Sequence, residues 1–151
     1  MKKALSIGKI SLGATLVVAL LSVVPLRGVA QNAESPGIII NSGSTNTCPY
    51  TISVDPSGQA SYTVCNNPGT GKISKSLATE FFNAISAAEP LSELSATSCA
   101  KSVSFGTTTK VKYKDQTSPD VSCPSSDSRV TDLYKDAQAI QQKLGFSTNR
   151  R

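Results

Sequence analysis

The most restrictive stretch of this sequence is residues 50–64. Tyr50, Ile52 and Val54 alternate with polar residues, Asp55-Pro56-Ser57-Gly58 intervenes, and Ala60, Tyr62 and Val64 alternate again. Alternation with a period of two puts the apolar side chains of a strand on one face. Proline suits the second position of a type I turn, and Gly58 suits the left-handed bulge that follows it. Such a turn pairs Val54 with Ala60, Ile52 with Tyr62 and Tyr50 with Val64, so turn chemistry and hydrophobic register demand the same hairpin.

The cysteines add a second constraint. Cys48 and Cys65 bracket that hairpin, and Cys99 and Cys123 bracket a later predicted one. None of the four has Cys-x-x-Cys spacing, so redox and zinc chemistry are not expected of them. An even count in a small exported chain reads as two disulfides with three possible connectivities. Cys48–Cys65 and Cys99–Cys123 are the favoured pairs, since each closes a short local loop. Alternation sets Cys48 and Cys65 on opposite faces, so the ladder must break at Pro49 before they can join.

Export is read from the first 30 residues. Lys2, Lys3 and Lys9 lead into an apolar run at 10–24, followed by Pro25 and the small-residue close Gly28-Val29-Ala30. This is the order of a secretory signal, and the run is short for a membrane span. Cleavage after Ala30 removes four basic residues, and the remaining eleven against ten acids leave a net +1. A near-neutral mature chain lacks the electrostatic footprint of a nucleic-acid binder. No membrane span is expected after cleavage.

Beyond a flexible lead at 31–36, Ile38-Ile39-Ile40 reads as a buried strand. Residues 66–72 read as a Pro/Gly loop, and Ser74 caps a helix with Leu77, Phe81, Ala84, Ile85 and Ala88 on one stripe, stopped by Pro90. Val103 and Phe105, Val111 and Tyr113, and the stretch 120–122 read as three further strands. Asp127 or Ser128 caps a last helix carrying Val130, Leu133, Tyr134, Ala137, Ile140 and Leu144, with Gly145 as its C′ residue. The expected class is α+β: antiparallel sheet in a two-layer arrangement, both helices on one face, in the order β-β-β-α-β-β-β-α. Residues 37–145 would form a single disulfide-stapled domain and 146–151 a frayed tail. The halves 38–89 and 101–144 would share an element order, as a tandem βββα repeat gives. That order is similar to the one in small secreted β-lactamase-inhibitory proteins, a likeness of fold that carries no function.

There is no His, which removes Ser-His-Asp triads and histidine metal sites, so no metal and no cofactor are expected. Glu80, Glu89 and Glu93 show no paired arrangement of the kind glycosidases need. Pro68-Gly69-Thr70-Gly71-Lys72 only resembles the end of a phosphate loop: Asn66 stands where it needs Gly, and Ile73 where it needs Ser or Thr. Ser98-Cys99-Ala100-Lys101 matches the Ser-x-x-Lys nucleophile motif, but Lys101 reads as a strand start and no Lys-Thr-Gly partner follows.

The reading is a non-enzymatic binding or inhibitory module outside the cytoplasm, with an extracytoplasmic protein or glycan as partner. The alternatives are a small hydrolase using Ser98 and Lys101 and a structural envelope component. Candidate contacts are Asn66, Asn67 and Lys72, the loop 104–109, and a stripe of Lys110, Lys112 and Lys114 on one strand face. When the full chain is produced in a secreting host, intact-mass measurement should find a mature protein beginning at Gln31. Recovery of only the full-length mass would contradict cleavage.

Overall fold

The computed structural model describes residues 34–95 and 98–150. The proposed signal, residues 31–33 of the lead and Arg151 lie outside the described residues. Six strands form one antiparallel sheet: β1 (Gly37–Asn41), β2 (Tyr50–Val54), β3 (Gln59–Val64), β4 (Asn67–Lys72), β5 (Thr109–Tyr113) and β6 (Gln116–Thr117). Their spatial order is β4-β3-β2-β1-β5-β6. Helix α1 (Lys75–Ala88) follows β4, and α2 (Ser128–Leu144) closes the chain.

The hairpin has the register that its alternation requires, with Val54 opposite Ala60, Ile52 opposite Tyr62 and Tyr50 opposite Val64. Gly58 takes a φ of 86°, and its N–H donates to the Asp55 carbonyl at 2.9 Å. Ile39, Ile52, Val54, Ala60 and Val111 all point to the covered side and are buried. Both helices pack against that side and each other, which leaves the opposite face of the sheet uncovered. In α1, Ser74 accepts the Leu77 N–H while Ala78, Phe81, Ile85 and Ala88 are buried. In α2, Asp127 caps the first turn and Gly145 (φ 67°) donates to the carbonyls of Gln141 and Gln142. Among the described residues, no helix is long and apolar enough to cross a membrane.

The element order differs from expectation. Residues 67–72 of the expected loop are a strand, and residues 103–105 and 120–122 lie in turns rather than strands. The order is β-β-β-β-α-β-β-α, four strands before the first helix and two before the second, so the halves do not repeat. Strand β4 hangs on a two-residue turn, Cys65-Asn66, in which both residues have positive φ (49° and 67°). That is the backbone of a type I′ turn, whose twist matches the flanking strands. Leaving the strand alternation there also lets the Cys65 side chain reach Cys48, removing the obstacle that strict alternation sets. The second disulfide joins Cys99 to Cys123.

Strand β4 brings almost no apolar side chain of its own. Its inward position Gly69 lies under the ring of Tyr62, the residue paired with it on β3. A Cβ there would collide with the ring. The aromatic side chain of the neighbouring strand thus supplies the cover that β4 lacks. Pro68 is tolerated because β4 is an edge strand.

Residues 146–150, expected to fray, pack back on the sheet. Phe146 sits between Tyr62 (4.8 Å between ring centroids) and Tyr50 (5.3 Å). Cys48 N–H donates to the Thr148 carbonyl, and Asn149 bridges to Thr47.

Gly69→Ala should therefore destabilise the fold by about 1–3 kcal/mol through overpacking against Tyr62. Thr70→Ala, facing outward next door, should stay within about 0.5 kcal/mol of the parent. Urea unfolding of both variants checks this, and equal stabilities would contradict the cover that Tyr62 gives β4.

Candidate functional site

The loops gather at the end of the sheet where β1 finishes and β5 begins. Three segments lie side by side there, built from residues 44–47, 103–104 and 149–150. The Ser44 hydroxyl and the Asn46 N–H both donate to the Ser104 carbonyl, at 2.7 and 3.0 Å. The Thr45 hydroxyl donates to the Val103 carbonyl, and the Arg150 N–H donates to the Asn46 carbonyl. With its carbonyls engaged in this way, the 102–106 segment is held from outside as well as within.

Internally the segment closes as a tight turn, with the Gly106 N–H donating to the Ser102 carbonyl at 2.7 Å. A Cβ at Gly106 would meet that same oxygen at 2.5 Å, so only glycine fits. The turn directs two side chains to solvent: Val103 is 84% exposed and Phe105 68%. No other large hydrophobic side chain among the described residues is so exposed. Alternation of Val103 and Phe105 with serines fits a strand equally well in sequence. Gly106 and the backbone donors of 44–46 decide for the turn.

Below the turn, Lys101 anchors the loop. Its Nζ lies 2.8 Å from Asp120 Oδ2, donates to the Thr107 carbonyl at 2.6 Å and lies 2.5 Å from Ser122 Oγ. Asp120 Oδ1 accepts from the N–H groups of Thr109 and Ser122 and from the Ser122 hydroxyl. Burial raises the Asp120 carboxyl, but these donors outweigh it and hold its pKa below the ordinary value. The Cys99–Cys123 disulfide ties the same two segments covalently. Buried Asn41 completes the base, accepting from Gly43 N–H and donating to the hydroxyls of Thr107 and Thr109.

The Ser-x-x-Lys arrangement is not assembled. The partners of the Lys101 ammonium are Asp120, Thr107 and Ser122, and Ser98 is not among them. The Lys101 side chain is thus committed elsewhere than beside the serine, where the motif's chemistry needs it. Among the described residues, no group of three or more Cys, Asp or Glu is placed to hold a metal ion.

The remaining candidates separate. Asn66 and Asn67 rim an open groove of about 810 Å³ at this same end, facing Phe146, Asn149 and Arg150 of the C-terminal segment. Lys72 lies at the far end of β4. Lys110 and Lys112 project from the uncovered face of β5. Lys114 leaves the stripe, since it sits in the β5–β6 turn with φ 53° and its Nζ lies 4.9 Å over the Tyr113 ring. Sequence reasoning passed over Asn41, Asp120, Ser122 and the C-terminal segment as parts of this end. The one local signal was Ser118-Pro119-Asp120, which marks a turn and says nothing of the lysine it binds. Comparison with protein-family models, curated proteins and solved structures finds no significant match to this chain.

Replacing Asp120 with Asn should destabilise the protein by about 2 kcal/mol at neutral pH, because it leaves Lys101 without its counter-charge. Because the native carboxyl titrates below the free value of about 3.9, its contribution is complete above that pH. It is lost as the pH falls through the lowered native value. Urea unfolding across acid pH should show a shallower loss of stability for Asp120→Asn than for the parent. Identical slopes would contradict the role given to Asp120.

Proposed function

We propose that the chain is an exported, non-enzymatic binding module that engages a protein partner through the tip of the 102–106 loop. One observation carries this reading: Val103 and Phe105 stand out in solvent on a backbone whose carbonyls and base are already fixed. Exposed apolar side chains of this size cost solubility unless something covers them, and a convex pair suits a concave apolar pocket. Ordering a flexible loop opposes binding, and a loop held by a disulfide, an ion pair and a neighbouring segment has little left to lose. An inhibitory role, in which such a loop plugs a partner's cleft, is a special case of the same contact.

Export is part of the proposal. The signal-like start supports it, and two disulfides with no free cysteine among the described residues are compatible with an oxidising compartment.

The test places a photo-crosslinking benzoyl-phenylalanine at position 105 or, as a control, at exposed Gln138 on α2. Irradiation in the exported fraction should give one dominant protein adduct from position 105 and none from 138. The adduct should fall at least tenfold when Val103→Ser is added. No adduct, or equal adducts from both positions, would overturn the reading.

A further inference from the structure

We infer that the uncovered face of the sheet is a second, independent binding surface, and that it takes an extended anionic polysaccharide. Every described helix packs on the other side. On the uncovered side, outward strand positions hold Lys72 on β4 and Lys110 and Lys112 on β5, and no outward strand position carries Asp or Glu. Two acids sit in turns bordering this face: Asp55 is turned into its own turn, accepting from the N–H groups of Ser57 and Gln59 and from the Ser57 hydroxyl, and Asp115 is exposed in the β5–β6 turn.

Between these lysines lies a field of hydroxyls. Register aligns Thr70, Ser61 and Ser53 with Ile38 and Lys112 in one row across the strands. Thr63 and Thr51 align with Ile40 and Lys110 in the next. Thr51, Ser53, Ser61, Thr63 and Thr70 line a shallow depression of about 440 Å³, with Tyr62, Pro68 and Gly69 also at its wall. The structure gives these hydroxyls no partner among the described residues, whereas Ser42, Ser44, Thr45, Ser118 and Ser122 in the loops are all hydrogen-bonded. Strands stand about 4.8 Å apart, so Lys72 and the Lys110–Lys112 pair are about 20 Å apart across four intervals. A compact anion cannot reach both. A linear chain bearing repeated charges can, while its hydroxyls meet those of the sheet.

Composition selects this class over other polyanions and partners. The outward strand positions of the face carry no Trp, Tyr, Phe, Met or Arg of the kind that anchors protein interfaces. It also lacks the aromatic platforms on which single-stranded nucleic acid stacks. Ile38 and Ile40 are half-buried between polar neighbours and offer no wedge for a bilayer.

The test uses mature protein and three soluble polymers: polygalacturonate for carboxylates, dextran sulfate for sulfates, and neutral dextran. Calorimetric titration at low ionic strength should show binding to at least one anionic polymer and none to neutral dextran. Lys72→Ser/Lys110→Ser/Lys112→Ser should weaken that binding at least tenfold with an unchanged melting temperature, and 0.5 M NaCl should abolish it, since exposed charges are screened beyond about 10 Å even at 0.1 M. Which anionic polymer binds more tightly identifies the acid group. Binding to neither, binding the triple variant leaves unchanged, or equal affinity for single-stranded DNA would overturn the inference. The loop reading stands apart from this one, because its readout is a protein adduct at position 105.

Discussion

Strand β1 holds the molecule together. Its five residues, Gly37–Asn41, pair with β2 along one edge and with β5 along the other, joining stretches that lie on either side of α1 in the chain. The disulfides cannot replace it. Cys48–Cys65 lies within the N-terminal strands and Cys99–Cys123 joins two stretches that both follow α1, so neither crosses between the two parts. Apart from the contacts of residues 146–150 with β2, β3 and the 44–48 loop, and the hydrogen bonds of residues 41–46 to residues 103–109, what joins them is the pairing of β1 with β5, the packing of α1 on α2, and the core between. Ile39, fully buried, sits at the middle of both pairings.

Both surfaces given a role depend on that strand. Its outward residues Ile38 and Ile40 bring the hydroxyl-rich strands next to Lys112 and Lys110. Its last residue, Asn41, links the 42–46 loop to Thr107 and Thr109, and the 44–46 segment in turn holds the carbonyls of Val103 and Ser104. The exposed turn is therefore fixed by two systems: hydrogen bonds traced back to β1, and the Lys101–Asp120 pair with the adjacent disulfide. Rigid presentation of an apolar tip follows from the core strand's position.

Much of this was legible where local chemistry and periodicity agree. The hairpin register, both helix caps, the Gly145 stop and the cysteine pairing follow from residues near one another in sequence. Failure came where a segment's partner lies elsewhere. Strand β4 reads as a loop because its inward position is glycine and its cover is Tyr62 on the next strand. Residues 103–105 alternate as a strand would, but their backbone partners are in 44–46, and Gly106 closes them into a turn. The C-terminal residues look frayed until Phe146 is placed between Tyr50 and Tyr62. For the candidate site, Asn66 and Asn67 do reach the loop-bearing end, whereas the lysine stripe loses Lys114 to a turn. Lys101 goes to Asp120 rather than to Ser98, an outcome of folding that no spacing rule contains.

Native-state hydrogen exchange on the β1 amides tests this account most directly. If β1 is the tie between the two parts, the amides of Ile38, Ile39 and Ile40 should exchange only through global unfolding. Their opening free energy should then equal the unfolding free energy from urea titration. Opening of those amides several kcal/mol below the global value, with the β2–β3 hairpin still protected, would show two separable halves and contradict it.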